Sequence, residues 1–232
     1  MTLAATYYGA NGWLLEFDDL RVLVDPWLRG SLSFPPGEWL LKGELPHDRD
    51  TPKNLNLLLL TQGLADHAHP ETLALLPKDL PVIGSMAATQ VVGRLGFTNV
   101  KALSPGESTS HQGLQVRASA GAPVPMVENG YLLEHPAGSL YLEPHGFLDP
   151  ALEPQPLDAV ITPMVDLGLP ALGAFVKGCT VVGWKRSTSC GTTEQPLTNA
   201  PSAGSPRSTI GVITASSGCG SRAGSRKPWG SR

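Results

Sequence analysis

Hydrophobic and polar positions along the first part of the chain follow two rhythms, one of period two and one of period 3.6. Trp13-Leu14-Leu15-Glu16-Phe17 and Leu20-Arg21-Val22-Leu23-Val24 flank Asp18-Asp19 and stop at Asp25-Pro26. That arrangement predicts two strands joined by a tight acidic turn. Leu55 to Leu60 is a short, mostly apolar run, the pattern of a strand covered on both faces that feeds a loop. Thr61 to His69 forms that loop. Pro70-Glu71 suits a helix first turn. Ser85 caps a second helix in which Ala88, Val91, Val92 and Leu95 follow i, i+3, i+4, i+7 before Gly96. Further strands are expected at Val100–Leu103, Leu114–Ala118, Gly130–Glu134, Ser139–Glu143 and Ala159–Thr162. Early hairpins followed by strand-helix alternation predict a layered α/β sandwich.

Composition divides the chain near Gly178. Residues 1–178 hold 10 Lys/Arg against 19 Asp/Glu, whereas residues 179–232 hold 7 Lys/Arg against the single acid Glu194. All three cysteines, Cys179, Cys190 and Cys219, fall in the second part, and all six histidines in the first. Of the last 54 residues 29 are Ser, Gly, Thr or Pro and only six are Val, Ile, Leu, Met or Phe, too little apolar surface to offset ordering entropy. Its basic residues form no run and no aromatic interleaving, so no nucleic-acid partner is expected. The first part has no cysteine, which excludes a disulfide scaffold or a thiolate zinc site there. With no basic n-region and no apolar run near the ~20 residues a spanning helix needs, a soluble, cytoplasmic protein without a membrane partner is expected.

Chemistry concentrates in the loop after the leucine strand, Thr61-Gln62-Gly63-Leu64-Ala65-Asp66-His67, where a rigid scaffold usually presents functional groups. No glycine pattern of the GxGxxG or P-loop kind follows a strand, so nucleotide binding has no support. Ser85 and Ser104 have no nucleophile-elbow context and read as a cap and a turn residue. Trp13 and Trp27 read as packing of the first sheet.

The loop resembles the metallo-β-lactamase superfamily signature Ser/Thr-His-x-His-x-Asp-His, with Gln62 and Leu64 standing where the first two histidines belong. Tyr8-Gly9-Ala10-Asn11-Gly12-Trp13 through Asp25-Pro26-Trp27-Leu28 resembles the start of the ascorbate-6-phosphate-lactonase-like branch. Gly130-Tyr131-Leu132-Leu133 and Leu140 to Gly146 resemble its relatives in cyanobacteria and plants. The resemblance implies a four-layer αββα sandwich, an α/β (α+β) fold, over residues 1–178, incomplete at its C-terminus. It further implies a first metal site built on three histidines, but Gln62, Leu64 and the Ser119-Ala120-Gly121-Ala122 stretch carry none, so that site is expected to be absent.

For the second site the resemblance implies Asp66, His67 and Glu143 as ligands, helped by His69 or His145. These would hold one divalent cation (zinc, iron or manganese) weakly, or none. Asp66 would take the proton from a metal-activated water attacking an ester, lactone or phosphodiester. Asp25 is implied to orient loop backbone at the site mouth. Ser33-Phe34-Pro35-Pro36 and Leu45-Pro46-His47-Asp48 read as an insertion over the site, a lid or a surface loop. The alternative is a non-catalytic binding module in which Asp66 caps the loop or helix and His67 fills a hydrogen-bonded position. Substrate and oligomeric state are not legible.

The Arg/Ser/Gly/Cys-rich text of residues 179–232 is what an out-of-frame, GC-rich gene would give, and a genuine low-complexity tail is the alternative. Resequencing the gene across the codons for Val176 to Thr180 is expected to reveal a frame change, and an intact frame there would sink this reading.

Overall fold

The structure is a computed structural model and describes residues 1–33, 42–123, 128–169, 173–181 and 212–216. In chain order the elements are β1 (Thr2–Gly9), β2 (Gly12–Phe17), β3 (Leu20–Val24), β4 (Ser31–Ser33), β5 (Lys42–Glu44), β6 (Leu57–Leu60) and α1 (Pro70–Ala74). Next come β7 (Val82–Gly84), α2 (Met86–Arg94), β8 (Val100–Ala102), β9 (Ser108–His111), β10 (Leu114–Ala120), β11 (Asn129–His135) and β12 (Gly138–Leu142). The last are β13 (Ala159–Leu169), β14 (Gly173–Val181) and β15 (Val212–Ser216). One sheet runs β15-β1-β2-β3-β6-β7-β8, a second β14-β13-β12-β11-β10-β9, and β4-β5 form a separate ribbon.

The period-two reading of the chain explains the layers. In β6, Leu57 and Leu59 face the core between the two sheets, while Leu58 and Leu60 face a second core. Val22 and Val24 of β3 likewise point one way and Leu23 the other. That second core is closed by Leu73, Leu76, Ala88, Val92 and Phe97 from α1, α2 and their flanks. Four successive leucines are therefore all buried because the strand is covered on both faces. The strands β3, β6, β7 and β8 are mutually parallel, so Asp25 and the Thr61–His69 loop leave the sheet at one edge, the usual place for a site in such sheets.

Both helices start as the sequence predicts. Pro70 occupies the first turn of α1, and Ser85 Oγ accepts the Ala88 N–H at 3.3 Å to cap α2. Gly96, at φ 87°, ends α2 in the left-handed region that glycine favours. Strand β1 escapes the sequence reading because Thr2–Gly9 is mostly small or polar, although Leu3 and Ala5 are buried opposite Phe17 and Leu15. Edge strand β9, Ser-Thr-Ser-His, has no apolar rhythm at all. Of the expected insertion, Ser33 ends β4 and Leu45-Pro46-His47-Asp48 follows β5, while residues 34–41 lie outside the described residues. Strand β14 crosses Gly178 to Val181, and β15 pairs antiparallel with β1. The expectation for the rest of residues 179–232 lies outside the described residues. No described helix is long and apolar enough to cross a membrane.

Leu59 is fully buried between the sheets whereas Leu75 is 39% exposed. Leu59→Ala is expected to lower unfolding stability by about 2–5 kcal/mol, and Leu75→Ala by less than about 0.5 kcal/mol. Urea unfolding followed by circular dichroism measures both, and equal losses would contradict the two-faced burial of β6.

Candidate metal centre

The site begins where β3 ends. Asp25 is buried with its backbone in the left-handed region, φ 38°, and its N–H donates to Leu59 O at 3.2 Å. Its Oδ1 accepts the Thr61 N–H at 2.8 Å and its Oδ2 accepts the Thr61 hydroxyl at 2.5 Å. The same Oδ2 lies 2.9 Å from His67 Nδ1. His67 and Ala68 N–H groups both donate to Leu64 O, which winds the loop into a turn and brings the fully buried His67 ring back over Thr61. On its other side His67 Nε2 lies 3.1 Å from Asn11 Nδ2, in the β1–β2 turn.

Burial opposes a charge on His67. The Asp25 carboxylate beside it, reinforced by Asp66 and Glu128, nonetheless pushes its pKa up to about 9. At neutral pH His67 therefore carries the positive charge itself, and a metal there would have to replace its proton.

The second sheet supplies the other half. Glu128 stands just before β11 and is buried. Its Oε2 lies 2.6 Å from His145 Nδ1 and accepts from Gln62 Nε2 at 3.2 Å. Glu143, one residue beyond β12, is fully buried, and its Oε2 accepts the His145 and Phe147 N–H groups at 3.0 and 2.6 Å. Its Oε1 meets no donor among the described residues and lies against the Glu128 carboxyl. Burial and that neighbour raise Glu143 to about 8, so it keeps its proton. Burial also penalises charge on Glu128, but its bonds to His145 and Glu143 outweigh that penalty and hold it below the usual range, ionised. Below this layer the Asn129 N–H donates to Thr61 O at 3.0 Å, and the Tyr131 hydroxyl donates to Leu60 O at 3.1 Å. These bonds tie β11 to the end of β6.

One ligand atom from each of His67, Glu128 and His145 falls within 4.8 Å of the other two, and the two imidazole rings lie 5.3 Å apart. Of the residues the sequence singles out, His67 and His145 therefore converge. Glu143 spends one oxygen holding the loop that carries His145. Asp66 sits at the rim, a fifth of its side chain exposed, with Oδ2 3.5 Å from His67 Nε2. The helix-capping role expected of Asp66 falls instead to His69, three residues nearer the helix, which caps α1 by accepting from Thr72 N–H at 3.3 Å. Asp25 does orient the loop backbone.

At the positions of the first metal site, Gln62 bonds Glu128 and Leu64 is 38% exposed. Ser119 Oγ pairs with the Tyr141 hydroxyl at 3.3 Å. Gly121 lies so close to Glu128 that a Cβ there would come within 2.7 Å of Glu128 Cγ. Glu128 and Asn11 were missed in the sequence. A signal for Glu128 existed: β11 and β12 pair Tyr131 with Leu142, and continuing that register sets Glu128 opposite His145.

The chain belongs to the beta-lactamase superfamily: the family model for a beta-lactamase superfamily domain matches residues 4–178. No match was found among curated protein sequences. Among solved structures the chain is similar to CmlA, a diiron beta-hydroxylase from Streptomyces venezuelae, at 25% identity and TM-score 0.45, over 60% of this chain and 28% of that one. It is also similar to a possible metal-dependent hydrolase from Veillonella parvula at 14% identity and TM-score 0.47, over 66% and 75% of the two chains. The isothiocyanate hydrolase from Delia radicum gut bacteria is similar at 17% identity and TM-score 0.45, over 62% of each chain. The matched region spans less than a third of the CmlA chain.

Asp25 is the buried partner of His67 and of the loop backbone, so its loss leaves an uncompensated charge and unpaired donors. Asp25→Ala is expected to destabilise the protein by about 3–5 kcal/mol, read from urea unfolding. A loss under about 1 kcal/mol would show that the loop holds without it.

Proposed function

We propose that this chain is a hydrolase-like protein of the lactonase-like branch whose machinery is reduced to one cation site, with impaired hydrolysis. The convergence of His67, Glu128 and His145 within 4.8 Å carries this reading. The donor set fits a divalent cation such as zinc, iron or manganese. Two imidazoles and a carboxylate are borderline ligands, and beside them the buried Gln62 Oε1 has no donor among the described residues. An unpaired oxygen inside a buried cluster suits a positive charge.

A divalent cation held there would lower the pKa of a bound water and so supply a nucleophile for esters, lactones or phosphodiesters. The protein's own residues do the rest. Asp25 fixes the ring plane of His67, in the manner of a carboxylate that orients a ligating imidazole. Glu143, protonated, holds the His145 loop. Asp66, a fifth exposed at the rim, takes the proton. Affinity stays below that of a complete structural zinc site, because a cation must displace the Glu128–His145 pair and lacks further histidines.

A second reading, a non-catalytic binding module, is favoured by the Gln62–Glu128 bond, which joins the two halves of the cluster without an ion. We also read residues 179–232 as out-of-frame text, which is supported by the family match ending at Gly178, the residue where composition changes.

Metal analysis by mass spectrometry on protein made without a histidine tag, followed by zinc titration, separates the readings. The expected result is one weakly held equivalent, weakened at least about tenfold by Glu128→Gln. Zinc-stimulated hydrolysis of p-nitrophenyl acetate or bis(p-nitrophenyl) phosphate should fall about 10²–10⁴-fold in Asp66→Ala. A folded protein that takes up no zinc would instead establish the binding module.

A further inference from the structure

A buried donor without an acceptor stands beside the β1–β2 turn. Arg49 Nη1 is shut off from solvent and has no hydrogen-bond partner among the described residues. Arg49 donates its backbone N–H to Leu28 O at 2.7 Å. Its Nη2 lies 3.7 Å from the Cβ position at Gly9, and its guanidinium carbon 5.8 Å from the centre of the Tyr8 ring. Among the described residues no carboxylate forms an ion pair with it.

The same turn reaches the metal centre. Asn11, two residues after Gly9 and so at most about 7 Å along the chain, places its amide 3.1 Å from His67 Nε2. A half-buried guanidinium with no counter-charge is unfavourable by itself, and burial weakens its hold on its proton. Its planar fork matches a carboxylate or phosphate group. The unpaired guanidinium beside Gly9 is thus joined to the cluster by the short Gly9–Asn11 stretch of chain.

We infer that Arg49, set beside the Gly9–Gly12 turn and stacked on Tyr8, recognises an oxyanionic group, carboxylate or phosphate, of the molecule that enters the site. Its place beside Gly9, two residues before the Asn11 that touches His67, gives it the role of a substrate anchor, and this deepens the hydrolase reading by naming an anionic substrate class.

The test uses the full chain stripped of metal with a chelator, titrated separately with inorganic phosphate and with acetate. Binding is followed by tryptophan fluorescence and by the Arg49 side-chain Nε–H resonance. The expected result is saturable binding of one anion that shifts the Arg49 resonance. Arg49→Lys should weaken binding at least about tenfold, and Arg49→Gln should abolish it, with zinc uptake unchanged in both. Phosphate and acetate arms distinguish the two anion classes. Equal binding by Arg49→Gln, or no binding of either anion by the wild-type chain, would overturn the inference. If Arg49→Gln fails to fold, a wild-type Arg49 resonance that does not move at saturation overturns it as well. Failure of the metal reading would appear only in the zinc titration and leave these results intact.

Discussion

A single buried carboxylate organises this end of the molecule. Asp25 closes β3 in a left-handed conformation that a non-glycine residue adopts only where its surroundings hold it. Those surroundings are three donors from one loop: the Thr61 N–H, the Thr61 hydroxyl and the His67 ring. A loop of seven residues with few apolar anchors would otherwise have many conformations. In a site shielded from water each of these bonds is strong and each missing one expensive. The loop therefore has one arrangement, and His67 has one orientation.

Burial raises the pKa of Asp25 itself, and its pairing with His67 and Thr61 opposes that rise. His67 is fully buried, which alone would keep it neutral, yet Asp25 with Asp66 and Glu128 favours its charged form. Across the cluster Glu128 is ionised against His145, while Glu143 surrenders its charge to burial and to Glu128. Beside the cluster the Gln62 amide bonds Glu128, whose side chain lies over Gly121, while Leu64 is partly exposed.

How much of this was legible depends on where the signal lives. Elements whose buried faces are written in large apolar side chains, β2, β3, β6 and α2, could be read from periodicity. Strand β1 could not, since Ala4 and Ala5 are buried without a large apolar pattern to mark them. In the site, the loop residues were legible because Thr61, Asp66 and His67 stand adjacent to a strongly marked strand. Glu128 was not, because it becomes a ligand candidate only through cross-strand register with His145. Asn11 was not, because its role comes from two loops of one sheet, 56 residues apart in the chain, meeting at His67. Long-range pairing, not local chemistry, was the missing term.

Register also explains why the two halves of the site meet at all. His67 belongs to the first sheet, Glu128 and His145 to the second, and face-to-face sheets joined only by apolar contacts tolerate small slips. Asn129 and Tyr131 remove that freedom. They bond Thr61 O and Leu60 O, the last carbonyls of β6 and its loop, and Asn129 Nδ2 adds a bond to Leu103 O at 2.8 Å. Burial drives the Tyr131 hydroxyl pKa well above its ordinary value, so the group remains a donor at any physiological pH. Directional bonds thus lock the sheets at the one edge where a fraction of an ångström decides whether His67, Glu128 and His145 share a common centre. Glu128 is the residue next to Asn129, so the clamp that aligns the sheets also places the ligand.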